Sequence, residues 1–236
     1  MTLIARSVER LEMAAARLRS AGPGSVLGTS SADVSDREAV ADAFARAVQE
    51  RGPVDALVCS AGVSRPGRFM ELDDAVFRSM IDINFYGTLW PIRAVVPDMV
   101  RKQRGSVVGI SSAAGLVGVY GYSAYGAAKF AVRGLLESLR TELAPHGVHV
   151  GCVFPPDVDT PMLADEESFK PAETRAIAGA IKPLTADQVA SAVIRGIDRR
   201  QAEIFADPAT RIMAHTVTTI PGIYRRLFDR RVRQST

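Results

Sequence analysis

The chain has 236 residues, long enough for one well-buried domain, and its 47% hydrophobic and 23% charged residues exclude a disordered or fibrous protein. Its 29 Lys and Arg against 26 Asp and Glu leave a net charge of +3, which singles out no class of partner, and no run of about 18 apolar residues offers a membrane-spanning helix. No secretory leader pattern opens the chain; Cys59 and Cys152 sit in apolar strand-like runs, where reduced thiols in a cytoplasmic setting are expected rather than a disulfide.

Residues 1–5 read as a strand and 7–20 as an Ala/Arg/Leu helix. Gly22, Gly24 and Gly28 have the look of a phosphate loop, but such a loop follows a strand and opens a helix. This stretch does the reverse, so it reads as a turn before a strand at 25–31. A helix then runs from a cap at Ser35 or Asp36 to Gly52, and VDALVCSAG (54–62) is a strand entering a loop. Residues 72–102 hold one or two helices, GSVVGISS (105–112) is a strand, and 123–145 is a helix with Leu135, Leu136, Leu139 and Leu143 on one side. HVGCVFPP (149–156) is a strand broken by its proline pair. Residues 155–183 are polar and proline-punctuated, 185–199 are helical, and AEIFAD (202–207) is the last strand. Strands alternating with helices imply parallel pairing through right-handed crossovers. The expected fold is therefore α/β, a doubly wound parallel sheet in one domain over residues 1–205, followed by a basic, partly apolar tail at 206–236.

The strongest chemical signal is SSAAGLVGVYGYSAYGAAKF (111–130). Tyr125 and Lys129 lie four apart and so share a helix face, and Ser112 ends a strand thirteen residues before Tyr125. The chain has only four lysines, and no other tyrosine has one four residues on. In matching order stand VCSAG (58–62), INFYG (83–87) and PPDVDTP (155–161). Taken together these residues resemble the short-chain dehydrogenase/reductase family over roughly residues 1–205. Within it, the PPDVDTP loop and the LIAR strand are similar to those of 3-ketodihydrosphingosine reductases.

The resemblance implies a Rossmann-type fold and an NADP(H)-dependent oxidoreductase that interconverts a ketone and a secondary alcohol on an apolar, lipid-like substrate. It assigns Tyr125 as acid/base, Lys129 as the ammonium that favours the phenolate and bonds the cofactor ribose, and Ser112 as the anchor of the substrate oxygen. Asn84 would hold a relay water. Cofactor contacts are implied at Asp33, Val34, Ser60, Ala61, Gly62, Pro155, Val158 and Thr160. At the end of the second family strand, where an NAD enzyme carries an acid, this chain has Ala5 and Arg6, with Arg10 a turn later. Guanidinium groups suit a 2′-phosphate, hence NADP(H).

Blander roles stand beside these. Tyr125 and Lys129 also fit an amphipathic helix face, Ser112 a strand-end cap, Asn84 a polar side chain bonded to backbone, and Arg6 and Arg10 ordinary surface arginines. His146, His149 and His215 lack acidic or cysteine company, so no metal is expected. The family's first strand and glycine-rich turn belong upstream of TLIAR, and their absence from these residues is read as a start placed about 30 residues downstream or as a natural short form. The second case makes a catalytically impaired, partner- or membrane-binding protein the alternative. Residues 161–182 occupy the place of the family's substrate lid and read as mobile. From Arg211 onward six arginines face one acid, Asp229, so the tail fits an anionic membrane surface or packing on the pocket or a second subunit; nucleic acid is not expected. A homodimer or homotetramer through the helices at 84–101 and 123–145 is implied by the family alone.

Overall fold

A computed structural model describes residues 1–20, 27–178 and 182–235. The turn assigned to 22–28 therefore lies, up to residue 26, outside the described residues. The elements are β1 (Thr2–Ala5), α1 (Val8–Ser20), β2 (Gly28–Ser31), α2 (Arg37–Arg51), β3 (Ala56–Cys59), α3 (Asp74–Met80), α4 (Gly87–Lys102), β4 (Gly105–Ile110), α5 (Ser123–Leu143) and β5 (Val148–Val153). They continue with β6 (Val158–Asp159), α6 (Pro161–Glu167), α7 (Ala172–Ala178), β7 (Leu184–Thr185), α8 (Ala186–Asp198), β8 (Glu203–Ile204), α9 (Pro208–Thr219) and α10 (Pro221–Ser235). Among them, no helix is long and apolar enough to cross a membrane.

Local sequence explains the helix ends. Asp36 accepts hydrogen bonds from the amides of Glu38 and Ala39 to open α2, and Gly52, at φ 80°, closes it. Thr185 and Gln188 form a reciprocal capping box on α8. Residues 72–102 are not one regular helix: α3 and α4 are joined by a π-helical turn, Ile81–Tyr86. Pro91, early in α4, has no amide to close a bond onto Gly87, which marks the joint.

All strand pairs are parallel. The main sheet has the order β3-β4-β5-β8, and its two central strands alternate between two buried faces. Val107, Val150, Cys152 and Phe154 pack with α4 and α5 through Ile92, Val95, Met99, Val132 and Leu136. Val108, Val153 and Ile204 pack with Ala192 and Val193 of α8 on the other face. Each fully buried valine contributes about 1.5–3 kcal/mol.

The expected sheet is, however, divided among the described residues: β1 and β2 form their own pair, and neither is hydrogen-bonded to β3. Ile4 of β1 and Val40 and Phe44 of α2 join that pair to the core. The tail folds as α9 and α10; Met213, Ala214 and Val217 of α9 pack on the core, and α10 lies against α7. Because β3, β4 and β5 run parallel, and β1 and β2 run parallel to each other, the loops after the strands of each sheet gather at one of its edges, where an open α/β sheet offers its crevice.

Candidate active site

Ser112 follows β4 and caps a short 3₁₀ turn, Ala113–Gly115, by accepting the amide of Ala114 at 3.1 Å. Tyr125 enters from the first turn of α5, on the side of Ser112, whose hydroxyl favours ionisation of the phenol. One turn on, Lys129 Nζ donates to the carbonyl of Ile110 at 3.0 Å and stands 5.6 Å from the Tyr125 ring. Thus the three residues that spacing set on a strand end and a helix face meet in one place. Tyr125 and Lys129 are only 8% and 5% exposed. Burial pushes the Tyr125 hydroxyl up to about 12 against the pull of the Ser112 hydroxyl, and nearby Glu166 and Asp157 add to the rise. Burial also brings the Lys129 ammonium down to about 8, so it keeps most of its charge at neutral pH.

Asn84 is fully buried on the π-helical turn. Its Nδ2 donates to the carbonyls of Val63 and Met80, each at 3.0 Å, and its Oδ1 accepts the Val63 amide at 3.3 Å. It therefore ties the loop after β3 to the helix, as the backbone-bonded role anticipates. Gly62 makes this closeness feasible: a Cβ there would lie 2.8 Å from Asn84 Oδ1 and 3.5 Å from Lys129 Nζ.

The remaining expected contacts line the same edge. Arg6, just past β1, is exposed and loosely paired with Asp33, Nη1 to Oδ2 3.5 Å, while Ser7 opens α1 by accepting the Arg10 amide. Asp33 accepts from the Ser35 amide and hydroxyl, which together hold its carboxyl below the usual carboxylate range. Val34 packs on Gly87, where a Cβ would meet its methyl at 2.6 Å. Ser60 and Ala61 are exposed after β3. Pro155 is buried and its carbonyl accepts the Ala113 amide; Val158 lies in β6, and the Thr160 hydroxyl donates to the Val158 carbonyl. Arg10 is exposed on α1. A free guanidinium face, an exposed small-residue loop and an ammonium behind a glycine fit an extended phosphate-bearing dinucleotide.

The segment read as a lid, 161–182, is described except at residues 179–181, and it folds as α6 and α7, with Glu166, Lys170 and Glu173 buried and Asp165, Glu167 and Arg175 exposed. Tyr122, beside Tyr125 with ring centroids 5.8 Å apart, donates to Glu166 at 2.9 Å. Lys170 Nζ bridges Glu166 and Glu167, each at 3.1 Å. Arg68 meets Glu173 through two nitrogens, the Tyr120 hydroxyl joins the same carboxylate, and the Arg65 guanidinium lies 3.2 Å over the Phe169 ring. Thr174 Oγ1 donates to the Tyr120 carbonyl beside Gly121, whose φ of 78° leaves that approach open. Tyr120, Tyr122, Glu166, Lys170 and Glu173 were not legible as site residues, because their partners lie 44 to 105 residues away or are ordinary helix neighbours. The one available signal was the Glu166–Lys170 spacing of four.

Around Tyr125 the other wall is apolar: Met80, Ala114, Ala124 and Ala128, with Leu72, Val76, Phe77 and Val119 packed behind. Outside it, a cleft of about 450 Å³ runs between Arg68, Phe69, Met70, Val119, Tyr120 and Gly121, and Phe69 and Met70 are exposed.

Comparison with known proteins shows the family of the chain. A family model described as short chain dehydrogenase matches residues 1–171. The chain is 39% identical over 198 residues to the 3-ketodihydrosphingosine reductases of Bos taurus and Mus musculus, covering 83% of this chain and 60% of each relative. It is 37% identical over 203 residues to that of Dictyostelium discoideum, covering 84% and 61%. The chain thus spans about three fifths of the length of these curated relatives. Among solved structures, a short-chain dehydrogenase from Sphingobium yanoikuyae in complex with NADPH superposes with TM-score 0.77 at 26% identity, over 97% of this chain and 85% of the other. One from Streptomyces avermitilis gives 0.80 at 26% identity, over 100% and 88%.

Proposed function

The chain belongs to the short-chain dehydrogenase family, and on that premise we propose that it is an NADP(H)-dependent oxidoreductase that interconverts a ketone and a secondary alcohol on an apolar, lipid-like substrate. The observation that carries the reading is the meeting of buried Tyr125 and Lys129 with Ser112 at the C-terminal edge of the sheet. The likeness to 3-ketodihydrosphingosine reductases supports a long-chain ketone, and the apolar wall and cleft beside Tyr125 suit one.

When bound, the reduced dinucleotide supplies the hydride that adds to the carbonyl carbon. Charge then develops on the carbonyl oxygen, where Ser112 and Tyr125 both direct hydroxyls. Tyr125 donates its proton to that oxygen, and the Lys129 ammonium beside the ring stabilises the phenolate left behind. Oxidation of the alcohol uses the same groups in reverse. Arg6 and Arg10 would meet the 2′-phosphate, Asp33 and Val34 the adenine side, and Lys129 the ribose. Ser60, Ala61, Gly62, Pro155, Val158 and Thr160 would flank the rest, and Asn84 would hold the relay water against the loop it already ties down.

The test is Tyr125→Phe assayed by NADPH oxidation with 3-ketodihydrosphingosine. Turnover is expected to fall by about 100-fold or more while NADPH binding, followed by fluorescence, persists. Unchanged turnover would refute the assignment. The buried thiols of Cys59 and Cys152 support a reducing cytoplasmic location. We assign self-association as a dimer or tetramer to the outer faces of α4 and α5, and peripheral contact with anionic membrane to the exposed Arg225, Arg226, Arg230 and Arg233 of α10. Sedimentation and vesicle co-pelleting check these two readings.

A further inference from the structure

We propose that the short turn Phe69–Glu71 at the rim of the cleft is a membrane hook: Phe69 and Met70 enter the apolar edge of a phospholipid bilayer, so that the cleft opens onto lipid instead of water. The inference rests on the reading of an apolar, lipid-like substrate, and it adds to the arginines of α10 a second, apolar point of contact. A ketone dissolved in the bilayer then reaches Tyr125 without crossing water.

Exposure singles out the turn. Met70 is 89% and Phe69 66% exposed, the two highest values among the large apolar side chains of the described residues, and the two are consecutive. The backbone beneath them is firmly held. The Glu71 amide donates to the Arg68 carbonyl at 2.9 Å, the Gly67 amide donates to the Gly121 carbonyl at 2.8 Å, and the Arg68 guanidinium pairs with both Glu71 and Glu173. The Phe69 ring meets Phe77 edge-on with centroids 5.8 Å apart. Two neighbouring apolar side chains fixed in water are unfavourable until something covers them.

Size, position and charge choose the bilayer as that cover. Together the two side chains expose on the order of 300 Å² of apolar surface, well short of the roughly 800 Å² that each partner brings to a stable protein interface. A bilayer asks for no matching surface, and its grip scales with whatever apolar area enters it. The turn walls the cleft of about 450 Å³, and Val119, another of its walls, packs against the cluster that holds Tyr125. Between α6 and α7, Phe169 is 41% exposed beneath the Arg65 guanidinium and adds a third apolar group beside the same loop. Arg68 ties the turn to Glu173 of α7, and α7 also contacts α10, so the hook and the basic helix are carried by joined elements. Glu71, Asp73 and Asp74 are exposed beside the hook, so its contact is apolar, while attraction to anionic lipid falls to Arg225, Arg226, Arg230 and Arg233. Salt separates the two contacts, because screening weakens the arginines and spares the hook.

The experiment is co-pelleting of the full chain with vesicles of phosphatidylcholine, alone and mixed with phosphatidylserine, at low and at high salt. It is paired with quenching of Met70→Trp by brominated phosphatidylcholine, read as the difference from the wild type, whose own Trp90 is half-buried. Met13→Trp, at a position 59% exposed on α1, is the comparison. Met70→Trp should be quenched on both vesicle types and Met13→Trp on neither. The double variant Phe69→Ser with Met70→Ser, checked for folding by a thermal melt, should lose about tenfold in partition coefficient at high salt. Replacing the four arginines by Gln should weaken binding to the anionic vesicles at low salt alone. Absent quenching at Met70 in a chain that pellets, equal quenching at both positions, or a double variant that pellets like the wild type at high salt each overturns the proposal. So does a wild type that does not pellet, or self-association that the double variant abolishes, which would place a second copy on the turn. If the wild type turns over no ketone, the function proposed above fails while pelleting and quenching still decide this one.

Discussion

Ser111 and Ser112 are neighbours of identical chemistry put to different uses. Ser111 is buried and donates to the Lys129 carbonyl at 2.9 Å, clamping α5 to the end of β4, whereas Ser112 caps the Ala113–Gly115 turn on the side of Tyr125. Replacing Ser111 by Ala is expected to cost about 1 kcal/mol in a denaturant melt. Replacing Ser112 by Ala removes the cap on the Ala113–Gly115 turn and should cost a similar amount, about 1 kcal/mol, but should in addition lower turnover at least tenfold; equal effects of the two on turnover would argue against this division. Gly62→Ala is a third case, since its Cβ would press on Asn84 Oδ1, and a loss of about 1–3 kcal/mol is expected. At this scale the sequence was informative wherever a residue acts through a fixed spacing. Tyr125 and Lys129 are one helix turn apart, so their shared face could be read directly. Glu166 and Tyr122 meet only because two loops and a helix fold over each other, and no spacing records that.

Among the elements, the long apolar strands were the most legible. Parallel strands covered on both faces, such as Val148–Val153, read as continuous apolar runs, and turn residues mark their ends. The π-helical turn was not, because one extra residue in a turn leaves the apolar pattern of residues 72–102 almost unchanged. Its consequence is the seat of Asn84. Asn84→Ala would leave the Val63 amide and the carbonyls of Val63 and Met80 without their partner, and a loss of about 1–3 kcal/mol is expected in a thermal or denaturant melt. The buried ion pairs of the lid segment were hidden for a related reason: mixed charge reads as a solvated face when the opposing charges lie elsewhere in the chain. Arg68→Ala removes the partner of Glu173. Faster amide exchange in α7 and a raised KM with little change in global stability are the expected outcome, measured by exchange mass spectrometry and steady-state kinetics.

For the whole molecule, pH dependence between neutrality and about pH 5 should be governed by His149. It is buried at the β4–β5 pairing, with Nδ1 2.6 Å from Ser106 Oγ and Nε2 2.9 Å from the Gln201 carbonyl oxygen. Burial and the nearby Arg200 charge hold its imidazole below the ordinary histidine value despite the opposing bond to Gln201. The unfolded chain therefore takes up a proton near pH 6.5 that the folded chain resists, so stability is full above that pH and declines as pH falls. The depressed carboxyls of Asp33, Asp98, Glu167 and Glu173 add their losses only at lower pH. Thermal midpoints should fall from pH 7 toward pH 5, and His149→Asn should flatten that slope; a slope retained in the variant would assign it elsewhere.

The division of the sheet bears on how the fold comes apart. Among the described residues β1 and β2 pair with each other and not with β3, and Ile4 and α2 pack that pair on the core through side chains. Amide exchange is expected to be faster in β1 and β2 than in β4 and β5, measured by exchange mass spectrometry. Arg6, Arg10 and Asp33 ride on the piece β1-α1-β2, whereas Tyr125 and Lys129 ride on the piece that holds β4 and β5. On the roles proposed above, a dinucleotide spanning both pieces would act as a brace between them, and exchange in β1 and β2 should slow when NADPH is added.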